Sequence, residues 1–160
     1  MNMTTIALPG QIEPFTDIFM LALAIYREAR GQDLAGKIAV GCVIRNRVQH
    51  PAWYGRNWFD VITKPYQFSS FNLNDRNSVV FGSAADAAWQ ESVAAALFVM
   101  GGAPDPTGGA TFYFDKTLDN NPPKWASSYV HTMDIGAFRF YKPKEATNRL
   151  GSSSPAGVPA

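Results

Sequence analysis

The chain of 160 residues holds a single cysteine, Cys42, and only two histidines, His50 and His131. One cysteine excludes an intramolecular disulfide. Together the three side chains make a poor zinc set, which carboxylates would have to complete. Charge is scarce too, at 17% against 46% apolar, with a net charge of +1. No run of Lys and Arg tracks a phosphate backbone, so nucleic acid is not an expected partner. No apolar run reaches transmembrane length, and the opening MNMTTIALPG lacks the basic stretch of a signal peptide. The expectation is a monomer with no metal, no cofactor and no membrane insertion.

What is present suffices for one folded domain with a core and a cleft. The pattern predicts a helix over 16–30, with Thr16 as N-cap, Pro14 just upstream and Gly31 as the stop. Its surface from Ile18 to Tyr26 is apolar almost all round, which reads as a central, enclosed helix. A second helix is expected over 34–48, with Asp33 suited to cap it and Arg45 and Arg47 near its end. Ser83 and Asp86 suggest a capping box opening a third long helix over 84–100, closed by Gly101-Gly102. Between them the chain is irregular and rich in aromatics, with WFDVI able to form one helical turn.

Turn-forming PDPTGG leads into ATFYF, and GAFRFYK alternates, so both read as short strands. The organisation expected is an extension over 1–14, a domain over 15–143, and a Gly/Ser/Pro-rich disordered tail over 144–160. The fold class is α+β, mainly helical with a small β element.

Glu28 is the residue that asks for an explanation. It sits at the end of an apolar helix, where the macrodipole is negative and burial disfavours charge. Both effects favour the neutral acid, as a general acid working near neutral pH requires. Arg27 and Arg30 oppose this if they lie close. From the residues alone, a solvated glutamate paired with an arginine is the simpler reading.

Glu28-Ala29-Arg30-Gly31, then Gly36, then Asn46-Arg47-Val48 form an ordered set, followed by VITKPYQFSSF at 61–71 and DPTGGATFYF at 105–114. In that order and spacing the chain resembles the SleB/CwlJ-type cell-wall hydrolases, the spore-cortex-lytic family, from about Phe19 to Tyr141. The resemblance implies a lysozyme-like fold and cleavage of peptidoglycan glycan strands. Glu28 takes the catalytic position, acting on the bond between N-acetylmuramic acid and N-acetylglucosamine. It further implies lytic transglycosylase chemistry, which needs one carboxylate and leaves 1,6-anhydromuramyl ends. In its light Gln67, Phe68, Ser69 and Tyr113 become candidates for substrate binding. Phe138 stands where the family often carries a histidine.

Trp53, Tyr54, Trp58 and Phe59 read either as a sugar-stacking wall or as core beneath a loop. Cys42 reads as a packed thiol, Asn46 and Arg47 as caps and braces, and His50 as structural or solvated, while His131 could orient substrate. The small size and absent leader suggest a phage endolysin. It would be made in the cytoplasm and reach the wall through a phage-encoded pore. The rivals are a lysozyme-type muramidase, a non-catalytic peptidoglycan-binding module, and an amidase or peptidase acting on wall peptides.

Overall fold

The structure is a computed structural model that describes residues 13–65, 67–72 and 74–144. The expected extension and tail therefore lie almost wholly outside the described residues. Helix α1 spans Glu13–Ala29, α2 Leu34–Val48, α3 Pro51–Tyr54, α4 Trp58–Thr63 and α5 Ala87–Met100. Strands β1 (Phe112–Asp115), β2 (Tyr129–Ile135) and β3 (Phe138–Pro143) form an antiparallel sheet in the order β1-β3-β2. Among the described residues no helix is long and apolar enough to cross a membrane.

Several boundaries differ from those the sequence suggests. Helix α1 begins three residues before Thr16, with Pro14 in its first turn, where a missing N–H costs nothing. At its other end Gly31 does not adopt a left-handed conformation; the chain turns through a Gln32 N–H donated to the Ala29 carbonyl at 2.9 Å. Helix α5 starts at Ala87 rather than 84, because Asp86 and not Ser83 caps it, accepting from Ala88 N–H at 2.9 Å. Asp33 caps α2 as expected, accepting from Gly36 N–H at 2.8 Å. Strand β2 went unforeseen: YVHTMDI has no clean alternation, and a bulge between His131 and Met133 breaks its register.

Helices α1 and α2 are both enclosed over most of their length, with every α1 residue from Leu21 to Arg27 buried. From Gly36 to Arg47 every α2 residue except Ile38 and Arg45 is buried, whereas the first turns of α1 leave Phe15 and Phe19 exposed. Leu21, Ala24 and Ile25 of α1 meet Cys42 and Ile44 of α2 and Ala95, Ala96 and Val99 of α5 in the main core. Gly41 makes the crossing possible: a Cβ there would lie 2.9 Å from Val99 Cγ2 and 3.0 Å from Ile25 Cδ1. A second cluster joins Ala29, Ala39, Val40 and Val43 to Phe138 and Phe140, so one face of the sheet packs on the α1–α2 corner. Gln32 fastens that corner to the β2–β3 turn by accepting from Ala137 N–H at 3.0 Å.

Candidate active site

Glu28 is the penultimate residue of α1 and is half-buried. Both carboxylate oxygens are engaged. Ser70 Oγ donates to Oε1 at 2.7 Å, and the Tyr113 hydroxyl donates to Oε2 at 3.0 Å. The two donors come from opposite sides, a 3₁₀ turn at Ser69–Phe71 and strand β1. A hydroxyl can donate or accept, so the same pair can hold the carboxyl in either protonation state.

Tyr113 points at Glu28 because β1 alternates. Tyr113 pairs with Phe140 on the face toward the helices, while Phe112 and Phe114 take the other face. Its ring packs edge-on against Phe138, centroids 5.1 Å apart, and lies 5.8 Å from Phe140. Phe138 is thus a buried buttress for Tyr113. Burial and the neighbouring Glu28 charge push the Tyr113 phenol well above its usual range, so it stays a neutral donor.

Behind them lies Arg47, 6% exposed. Its Nε donates to the Thr111 carbonyl at 2.7 Å and Nη1 to Gln67 Oε1 at 3.3 Å. The guanidinium stands 4.7 Å from the Phe68 ring and 5.5 Å from those of Tyr54 and Phe112. Burial draws it below the usual arginine range, and the oxygens of Tyr113, Tyr54 and Glu28 pull it back. Arg47, expected as a brace, in the fold also lies close enough to Glu28 for their charges to interact.

Arg27 anchors the other side. Its guanidinium donates to three carbonyls, Val80 at 3.0 Å, Ser70 at 3.1 Å and Ser78 at 2.7 Å. Its charge also lies over the Phe71 and Phe81 rings at 4.7 and 5.0 Å. Arg27 thereby fixes the loop that carries Ser70, while Arg30 is exposed.

Of the residues the sequence singled out, Tyr113 meets Glu28 directly. Ser69 is exposed, and the hydroxyl on the carboxylate belongs instead to its neighbour Ser70, a distinction a Ser-Ser pair in a loop cannot give in advance. Gln67 joins Arg47 to the chain, donating to the Tyr54 carbonyl at 3.4 Å. Phe68, 2% exposed, is core beneath Arg47 and offers almost no surface to a sugar. The four aromatics divide: Tyr54 is buried and Trp58 packs on the core, while Trp53 and Phe59 are exposed. Asn46 donates to Asp105 and to the Ala110 carbonyl, both at 2.9 Å, and so fastens the loop entering β1. His131 sits on exposed β2, bonded to Asp134 at 2.7 Å.

Helices gathered round α1 and α2, with a small sheet closing one side of a partly open carboxylate, make this a lysozyme-like domain. The chain belongs to the cell wall hydrolase family, which it matches over residues 31–141. That match begins just after Glu28, so Glu28 stands on its geometry. The chain is 35% identical to a spore cortex-lytic enzyme of Halalkalibacterium halodurans over 78% of its length and 34% of the relative's. It is 32% identical to one of Bacillus cereus over 79% and 44% respectively, so it spans less than half of either relative. It superposes on the catalytic domain of the germination-specific lytic transglycosylase SleB of Bacillus anthracis with a TM-score of 0.64. That alignment has 29% identity and covers 87% of this chain and all of the other. The Bacillus cereus SleB catalytic domain gives the same score at 28% identity, over 88% of this chain and 100% of that one.

Proposed function

We propose that the chain cleaves peptidoglycan glycan strands between N-acetylmuramic acid and N-acetylglucosamine as a lytic transglycosylase, with Glu28 as general acid and then general base. The observation that carries this is the hold on Glu28 from Ser70 and Tyr113, which orients one half-buried carboxyl at the surface of the fold. Protonated Glu28 gives its proton to the glycosidic oxygen as the C1–O bond breaks. Its carboxylate then takes the proton of the muramyl C6 hydroxyl as that oxygen closes on C1. The glutamate ends as it began, and no water is consumed.

A two-carboxylate hydrolase would need a second acid across the cleft, about 5–9.5 Å away. The loop aspartates that could supply it are occupied locally. Asp33 caps α2, Asp60 pairs with Arg56 at 3.3 Å, and Asp75 accepts from Asn77 N–H at 2.7 Å. Among the substrate-binding candidates, exposed Ser69 beside Ser70 would be the one to meet an acetamido group, while Gln67 and Phe68 support Arg47. A cysteine peptidase fits poorly, since Cys42 is fully buried and burial pushes its thiol up to about 11.

The test is mass spectrometry of purified peptidoglycan digested by the chain. We expect 1,6-anhydromuramyl ends from the wild type. Glu28→Gln should lower the rate by about 10²–10⁴-fold with the fold intact. Reducing muramyl ends as the main product, with one aspartate as essential as Glu28, would make the chain a muramidase. Near wild-type clearing by Glu28→Gln would remove Glu28 from the reaction.

A further inference from the structure

A concavity of about 750 Å³ does not include Glu28 or Tyr113 among its lining residues. It lies between the end of α2 with α3 and the ends of β2 and β3. Trp53, Tyr54 and Tyr129 give it aromatic walls, and His50, Lys142 and Lys144 give it basic ones. Among the described residues no carboxylate lines it. Among the described residues neither lysine nor His50 has an ion-pair partner, whereas Lys37, Lys116, His131 and Arg139 all do. Unpaired cations around an aromatic groove suit an anionic ligand with some apolar surface.

Thr111 ties the groove to the catalytic centre. It lines the groove, its hydroxyl accepts from the Tyr54 hydroxyl at 3.1 Å, and its carbonyl accepts from Arg47. Tyr113 follows two residues later, about 7 Å along the strand. A peptide of three or four residues spans roughly 10–14 Å.

We propose that this groove binds the stem peptide of the muramyl residue held at Glu28, through the peptide's free carboxylates on Lys142 and Lys144. The proposal rests on the peptidoglycan reading above and adds what that reading lacks, a site for the part of the substrate that is not sugar. Trp53 and Tyr129 would cover the peptide's aliphatic side chains. The enzyme would then prefer strands that still carry peptides.

The experiment measures binding by the full chain carrying Glu28→Gln, so that no strand is cut. Soluble glycan strands, stripped of phosphate polymers with hydrofluoric acid, are compared with and without peptides removed by an amidase. We expect roughly five- to tenfold tighter binding to the peptide-bearing strands at low salt, fading as salt rises. In a Lys142→Gln, Lys144→Gln version, checked for an unchanged circular dichroism spectrum, that ratio should fall toward one. Equal affinity for both strands, or a ratio untouched by the lysine changes, would overturn the proposal. A preference present only in unstripped walls would assign the groove to a phosphate polymer instead. A preference appearing only in a chain shortened to Lys144 would mean that residues 145–160 occupy the groove. Failure of the wild type to cut strands sinks the catalytic reading and leaves this binding ratio readable.

Discussion

Arg27 and Arg47 leave neighbouring helices, are both buried among aromatic rings, and act on opposite sides of Glu28. Each fastens a segment whose hydroxyl reaches one oxygen of the carboxylate. Arg27 holds the loop of Ser70; Arg47 holds the strand of Tyr113. They differ in how much help they have. The β1 side is also secured by its ladder to β3 and by Asn46 on the Asp105 loop. The Ser70 side is short 3₁₀ turns, and Arg27 is what joins three of its carbonyls to a helix. Two walls of one site therefore rest on unequal foundations, one redundant and one nearly single.

The largest effect expected is that of Arg47→Met. Although its wall has other ties, the change strands the buried Thr111 carbonyl, empties the space among the Tyr54, Phe68 and Phe112 rings and removes the charge facing Glu28, and should cost about 2–4 kcal/mol in urea unfolding, with wall lysis lost as well. A variant as stable and active as the wild type would show that the strand needs no arginine. Next comes Arg27→Ala, at about 1–3 kcal/mol. Here activity should fall further than stability alone explains, because Ser70 loses its place. Arg27→Lys should not restore it, since one ammonium cannot match a planar fork reaching three carbonyls. Full rescue by lysine would reduce Arg27 to a packing residue.

Smaller still, Ser70→Ala and Tyr113→Phe each delete one hydrogen bond to the carboxylate. Each should lower the turnover rate about tenfold while the melting temperature barely moves. If only one of the pair matters, the grip on Glu28 is one-sided.

The smallest effect concerns the redundant wall. Burial pushes the Asp105 carboxyl up, but hydrogen bonds from Thr107, Asn46 and Gly109 outweigh it and hold the group below its usual value. A depressed carboxyl stabilises the fold above its unfolded value of about 3.9, and that contribution is lost as pH falls through the lower folded value. Stability measured between about pH 5 and pH 2 should therefore slope less in Asp105→Asn. Activity at neutral pH should change less than in Arg27→Ala. The reverse order would contradict the inequality of the two walls.

Much of this was legible beforehand where the signal is local. Helix α2, its Asp33 cap, the α4 turn and strands β1 and β3 follow from periodicity, capping chemistry and aromatic alternation. Tyr113 could be aimed away from Phe112 and Phe114 by counting along a strand. What could not be read depends on contacts distant in sequence. Arg27 meets Ser78 and Val80 more than fifty positions away, and nothing near Arg27 announces them. Strand β2 exists because β3 offers it an edge, not because of its own pattern. The enclosed look of α1 holds from Leu21 to Arg27 but not in its apolar N-terminal turns, where Phe15 and Phe19 remain at the surface.

Cys42 gives the molecule a clock. It is the chain's only cysteine, fully enclosed between α1 and α5 in the main core, with a thiol that burial pushes up to about 11. A thiol-reactive dye added to the native protein must wait for the helices to part before a thiolate can meet it. The labelling rate would then count openings of the core, while strand cutting reports on the surface beside Glu28. Run side by side, they separate changes that loosen the scaffold from changes that only misplace a hydroxyl.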